Sequence, residues 1–245
     1  MKKIFAPSLV LILSMGLLEI LALSGFLNQS LIPAPSDLFK VLFEMPEEIL
    51  QGTQETLLNS FLGFLLSAVF GLLIAFVFSL SKNLRDAILP FAVFFQTVPI
   101  IAIAPLLVIY LGFGAPTVIA SAFIVSIFPI IANTLVGLES YPKDQLDLFK
   151  IYRASPFQIL FKLKLPSAYR HIYAGFKISA GLSIVGVIAG EFVAGGGLGA
   201  LIDSARTQQR VDIVFVALFI LALIGLFYLS VLALLNFTIC KKRPL

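Results

Sequence analysis

Six stretches of this sequence, at about 5–25, 57–80, 88–111, 117–138, 172–192 and 213–239, are apolar for about twenty residues or more with almost no charge. A helix of roughly 20 apolar residues crosses the hydrocarbon core of a bilayer, so each stretch reads as a membrane span. The composition agrees, with 60% hydrophobic and 12% charged residues and a mean hydropathy of +1.06, far from soluble averages. The expected fold class is therefore an all-α membrane protein with six transmembrane helices. A chain of 245 residues has little left outside those spans. One membrane domain over 1–245 is expected, with no soluble domain attached.

Charge orients the spans. Of 17 Lys and Arg residues, 14 lie at Lys2 and Lys3, at Lys82 and Arg85, within 139–177, or at Lys241, Lys242 and Arg243. Lys40, Arg206 and Arg210 alone occupy the alternate loops. The positive-inside rule makes the basic segments cytoplasmic and puts both termini inside. The net charge of +4 is spread over membrane-flanking loops, and no basic domain is available for nucleic acid. Lys2, Lys3, an apolar run and Ala22-Leu23-Ser24 also fit a cleaved signal peptide. Glu19 interrupts that run and favours a retained span. The single cysteine, Cys240, allows no disulfide framework and no CxxC site.

The second span carries Ser60, Gly63, Ser67, Gly71, Ala75 and Ser79 at intervals of three and four, on one helical stripe. Gly175, Ser179, Ser183, Gly186 and Gly190 repeat the pattern in the fifth. Such stripes let helices approach closely in lipid; the other reading is that positions such as Ser183 line a solute path. Pro90, Pro99 and Pro105 interrupt the third span, with Gln96 among them, and Pro129 and Asn133 mark the fourth. Proline frees backbone carbonyls, which is tolerated where they face protein or a watery cavity. Gln96, Pro99 and Asn133 are thus candidates for a pathway, and static kinks are the alternative. Glu19 and Glu191 are the carboxylates inside spans, both toward the outer side. Glu191 either touches the solute, gates the outer mouth, bonds a neighbouring helix, or faces outer water.

Two motifs are set aside. Gly195-Gly196-Gly197-Leu198-Gly199-Ala200 matches a dinucleotide fingerprint, but it follows a membrane helix and not a strand, so an outer turn is expected. No phosphate-binding P-loop sequence occurs anywhere. His171, the one histidine, has no partners for a metal or triad. Residues 35–55 look like an outer amphipathic helix, with Ser36 as N-cap and Leu38, Val41, Leu42 and Met45 on its apolar face. Its acidic flank, Glu44, Glu47, Glu48 and Glu55, faces either water or a partner.

The polar segment 141–171 divides at Ala154-Ser155-Pro156. Leu146, Phe149 and Tyr152, with Leu148 and Ile151, give a first short helix a broad apolar face. Ser155 caps a second helix, Pro156 suits its first turn, and it is expected to run Phe157 to Leu163 and stop at Leu165-Pro166. The product is a compact cytoplasmic knuckle whose apolar residues have no partner among the spans.

With these residues in place, the chain resembles the permease subunits of binding-protein-dependent ABC importers. The family's cytoplasmic loop has the form EAA, three residues, G, about nine variable residues, an apolar residue, then LP. Here that frame falls on Asp147-Leu148-Phe149, Arg153-Ala154-Ser155 and Leu165-Pro166, with Gly175 in the following span. Asp-Leu-Phe stands in place of Glu-Ala-Ala, Arg153 in place of the glycine, and Arg170 where a second proline is common. Ile32-Pro33-Ala34-Pro35-Ser36, Gln96 to Pro99 with Pro105, Phe128-Pro129 to Asn133-Thr134, and Gly190-Glu191 to Gly197-Leu198-Gly199 resemble the branch serving nitrate, sulfonate, taurine and thiamine-precursor importers. Tyr152-Arg153-Ala154-Ser155 looks closest to its thiamine-pyrimidine and riboflavin permeases. The resemblance covers nearly the whole chain and favours an uncleaved first span.

The resemblance implies a type I ABC importer permease fold with a cytoplasmic coupling-helix loop at 141–171, in a bacterial inner membrane. Asp147, Phe149, Tyr152, Arg153, Ala154, Ser155, Leu165 and Pro166 would contact the ATPase. It further implies a homodimer of this chain in membrane lipid, two copies of an ABC ATPase subunit, and an external solute-binding protein. ATP would be used by the ATPase, with no cofactor, metal site or catalytic residue on this chain. The chain would be a conduit and no enzyme. The alternative is an ion-coupled secondary carrier, although neither inverted repeats nor charged midplane residues are visible.

Overall fold

Helix α6 (Ala115–Gly137) is the axis of the molecule, packed between α3 (Pro46–Ser79) and α9 (Leu165–Ala194). The computed structural model describes residues 13, 15–25 and 31–242. Both small-residue stripes turn toward α6. A Cβ on Gly63 would collide with the Ala122 side chain, and one on Gly186 would lie 2.6 Å from the Ala122 Cα. One on Gly190 would lie 2.8 Å from the Val118 Cα. Ala122 is thus gripped from two sides, an approach that only absent side chains permit.

Hydroxyls reinforce the grip. The Ser67 and Ser126 Oγ atoms are 2.7 Å apart between α3 and α6, and Ser179 of α9 donates to the Ser126 carbonyl at 2.6 Å. With no water competing in the bilayer core, each such bond adds modestly to helix association, about 0.6 kcal/mol on average. Helix α11 (Val211–Lys242) joins on the α3 side, where the Tyr228 hydroxyl lies 2.7 Å from Ser60 Oγ and donates to the Leu57 carbonyl at 2.8 Å.

Among the described residues, four helical stretches are long and apolar enough to cross a membrane: Pro46–Ser79, Ala115–Gly137, Pro156–Ala194 and Val211–Ile239. The expected third span, 88–111, is two helices: α4 (Lys82–Phe95) and α5 (Ile100–Leu111). Pro99 forces the residue before it out of helical geometry, and Gln96 to Val98 form a turn that ends one helix before the next begins. For the expected first span, 5–25, residues 15–23 form a helix, α1, and everything before residue 13 lies outside the described residues. The side chains of Cys240 and the basic residues after it also lie outside them.

The two ends of the bundle differ in character. At the glycine end, α9 stops at Gly195 and a short helix α10 (Gly197–Thr207) follows. Helix α2 (Pro35–Glu44) covers α10 and α11 there, burying Val41 with Ile49, Ala205, Ile213 and Val216. The N-cap of α2 is Ala34 and not Ser36 as the sequence suggests, and Pro35 takes the first turn. Ala34 offers no capping side chain, so Glu19 of α1 supplies one from a distance: its Oε2 accepts the Ser36 N–H at 3.0 Å. At the opposite, knuckle end stand α7 (Lys143–Ile151) and α8 (Pro156–Ile159).

Candidate functional site

The knuckle has one anchored arm and one free arm. Helix α7 buries no residue. Ile151 and Tyr152 are 76% and 77% exposed, Phe157 is 65% exposed, and Leu148 and Phe161 are exposed beside them. The second arm is rooted: Leu160 is buried with Leu138, Ala168 and Ile172 against Leu72 and Phe76, and Leu163 is buried as well. An apolar face of this size on a polar loop gains from burial against a partner.

The turn between the arms is a Schellman cap. Ala154 N–H donates to the Phe149 carbonyl at 2.9 Å, and Arg153 N–H to Lys150 at 2.9 Å. Arg153, at the left-handed position of that cap, has φ 50°, a conformation that favours glycine. Ser155 then starts α8 with a full capping box: its Oγ accepts Gln158 N–H at 3.3 Å, while Gln158 Oε1 accepts Ser155 N–H at 2.8 Å. Asp147 holds Lys150 at 3.0 Å on the exposed side of α7. Phe149 and Ala154 are half-buried.

Leu165-Pro166 does not stop the second helix. The chain passes from α8 through a π-helical turn, Leu160–Lys164, directly into α9, with Leu165 N–H donating to the Leu160 carbonyl. Proline in a regular helix would clash with the carbonyl four residues back. Widening the preceding turn by one residue accommodates Pro166 near the start of α9, and π turns of this kind are common at functional sites. The knuckle is therefore continuous with a helix that runs the length of the bundle.

The five candidate pathway residues occupy different settings. Gln96 and Pro99 are exposed in the α4–α5 turn. Asn133 is half-buried, donating to the Pro129 carbonyl at 2.8 Å, and it abuts Gly175. Ser183 is fully buried and donates to the Ala180 carbonyl at 2.9 Å.

Glu191 is 1% exposed and sits in a built enclosure at the glycine end. Thr56 Oγ1 donates to its Oε1 at 2.8 Å and its Oε2 at 3.0 Å, and Gly199 N–H donates to Oε2 at 2.8 Å. The same Thr56 hydroxyl accepts Leu198 N–H at 2.9 Å, and Glu55 Oε2 accepts Gly197 N–H at 2.8 Å. The first N–H groups of α10 are thus taken up by side chains of α3 and α9, as an unsatisfied helix start requires. Gly195, Gly196 and Gly197 have φ values of 80°, 86° and 62°, and a Cβ on Gly197 would overlap the Glu191 carboxyl group. The glycine run is a turn that wraps a carboxylate. Glu191 stood out in the sequence as an acid in an apolar span. Thr56 gave no such signal, because a threonine in a membrane helix is ordinary until its partner is known.

A cleft of about 340 Å³ lies between α2 and the start of α11, lined by Asp37, Lys40, Glu44, Gln209 and Asp212 among others. Arg210 bridges Asp212 at 2.7 Å and Glu44 at 3.2 Å there, tying α2 to α11, and these carboxylates hold its guanidinium pKa above the ordinary value. Among the described residues, no three His, Cys, Asp or Glu side chains converge as a metal site.

Comparison with known proteins places these features in context. The family profile described as "Binding-protein-dependent transport system inner membrane component" matches residues 67–239. A probable ABC transporter permease protein of Haemophilus influenzae is 34% identical over 225 residues, 91% of this chain and 92% of that one. The formylaminopyrimidine transport permease protein ThiX of Halalkalibacterium halodurans is 30% identical over 198 residues, 80% of this chain and 79% of that one. Among solved structures, a chain of the inward-facing MetNI methionine ABC transporter superposes with a TM-score of 0.62 at 18% identity, covering 78% of this chain and 97% of that one.

Proposed function

The chain belongs to the inner-membrane components of binding-protein-dependent transport systems, and from that we infer how its knuckle, helices and glycine-end enclosure divide the work of import. It is the integral-membrane permease subunit of an ABC importer with a type I importer fold, and it acts with ATPase and binding-protein partners. Our further reading assigns 1–245 to a single permease domain in a bacterial inner membrane, multi-pass with both termini cytoplasmic. Two copies of the chain form the channel, two ATPase subunits sit at the knuckle end, and one solute-binding protein sits at the glycine end.

The free arm of the knuckle carries this reading. Its Leu148, Ile151 and Tyr152 are exposed on an otherwise polar loop, as is Phe157 at the start of the second arm. Asp147, Phe149, Tyr152, Arg153, Ala154 and Ser155 meet a groove on the ATPase, and Leu165-Pro166 passes its movement into α9. This chain holds no cofactor and makes no bonds; the ATPase uses the ATP. A bistable helical body biased by the ATPase's nucleotide state is sufficient for alternating access. Within the protomer α6 fills both small-residue stripes, so the solute passes between the two copies, with Gln96, Pro99, Asn133, Ser183 and Glu191 the proposed residues closest to function along that route. The transported solute is a small heteroaromatic of the thiamine-pyrimidine class. The Tyr152-Arg153-Ala154-Ser155 frame favours a thiamine-pyrimidine or riboflavin-like compound over nitrate, sulfonate or taurine, and the longer coverage shared with a formylaminopyrimidine permease favours the pyrimidine of those two.

The test is reconstitution with the partner ATPase and binding protein, measuring ATP-driven uptake of a formylaminopyrimidine and of nitrate. Arg153→Glu and Ala154→Glu are expected to lower uptake by about tenfold while membrane insertion stays normal, as loss of a coupling contact does. Normal uptake in both variants would overturn the docking assignment, and nitrate uptake without pyrimidine uptake would overturn the substrate.

A further inference from the structure

Glu191 is an expensive way to hold helices together. A buried carboxylate without a paired cation has to be met entirely by hydrogen bonds and local dipoles. Here it receives the Thr56 hydroxyl, the Gly199 N–H and the positive start of α10. Elsewhere among the described residues the core helices are joined through glycines and serines, with no other charge buried. What the carboxylate adds is a three-way joint: α9 supplies Glu191, α3 supplies Thr56 and Glu55, and α10 supplies the N–H groups of Gly197, Leu198 and Gly199. A fourth segment is tied in by Gly114 N–H, which donates to the Ala194 carbonyl at 3.0 Å.

The position of the joint gives it a task. From Leu165 to Ala194, α9 is an unbroken helix of 30 residues, about 45 Å long. Its near end is the knuckle and its far end is the joint. Movement of the knuckle therefore arrives at Glu191 as movement of the end of a rod. Beyond the joint lie α10 and the α2 cover, which form the surface at the glycine end.

We propose that Glu191, acting with Thr56, is a positioning residue for transport, locking the start of α10 to the ends of α3 and α9 so that all three move as one body when the knuckle moves. This rests on the importer reading above. A glutamine at 191 would keep only one of the two acceptor oxygens that meet Thr56 and lose the negative charge that the start of α10 favours, which weakens the joint.

The experiment uses the complete importer in lipid vesicles. Spin labels are placed at Gln51→Cys on α3 and Ser204→Cys on α10, both exposed, in a Cys240→Ser background. In the wild-type joint their distance is expected to be narrow and unchanged between the nucleotide-free and vanadate-trapped states. Glu191→Gln and Thr56→Val are expected to broaden it and to lower solute imported per ATP hydrolysed by about tenfold, a typical size for a lost coupling contact. Basal hydrolysis and complex assembly should persist, and Thr56→Ser should restore coupling. A distance that shifts between states with the wild-type joint, or a Glu191→Gln importer with undiminished uptake per ATP, overturns the proposal. If Glu191→Gln fails to assemble, the wild-type distance pair alone decides. A wild-type complex without ATP-driven uptake overturns the importer reading instead and leaves the spin-label result to judge the joint.

Discussion

At the scale of single residues, the knuckle's turn holds a non-glycine residue where its backbone favours glycine. Arg153 at φ 50° costs about 1 kcal/mol relative to glycine in the left-handed region. Arg153→Gly is therefore expected to raise the thermal stability of the purified permease, by about 1 kcal/mol, as read from its melting in detergent. Under the proposed docking Arg153 also meets the ATPase, so the stabilised variant is expected to couple less well. Some of this was legible beforehand. Ser155 announces its cap through the Pro after it, whereas the Glu19 bond to Ser36 joins residues 17 positions apart and leaves no trace in local spacing. Ser36 looked like a cap because serine before a helix is the usual signal; Pro35 shifted the start by two residues and a distant carboxylate did the capping.

At the scale of elements, spacing identified the stripes on α3 and α9 but not what they face. Only the fold shows that both close on the same helix, so that α6 is gripped on two sides. Gly186→Val should destabilise the purified protein by about 1–3 kcal/mol, the usual cost of overpacking, because its Cβ would press on the Ala122 backbone. Gly181 lies on the same helix with open space around it, and Gly181→Ala should be neutral or stabilising by up to about 1 kcal/mol. Differential scanning of the two variants in one detergent distinguishes the stripe from the helix that bears it. Two prolines mark interruptions in the sequence, and the fold resolves them differently. At Pro99 the apolar run conceals a break between α4 and α5. At Pro166 an expected stop is bridged by a π turn. A proline marks a missing donor, and the tertiary setting decides whether the chain ends, bends or widens there.

At the scale of the whole molecule, the apolar runs gave the class and the loop frame gave the family, while the Glu55–Thr56–Glu191 joint had to be seen. Its members are separated by 135 residues or more between α3 and α9, and no sequence period connects them. The importer reading predicts that deleting the partner ATPase abolishes solute uptake by cells while leaving this chain in the membrane, as an immunoblot of the membrane fraction would check.

The grip on α6 also has a consequence for how the protein is made. The chain emerges with α3 first, then α6, and α9 only after the whole knuckle has been synthesised. Helix α6 can dock on α3 as soon as both are in the bilayer, but its second face waits bare for a helix still on the ribosome. For that interval the nascent permease presents a narrow, small-residue groove to any neighbouring helix, including that of another copy. The order of synthesis, together with the Ser179 contact to Ser126 that closes the second face, makes arrival of α9 the step that commits the monomer to its own fold.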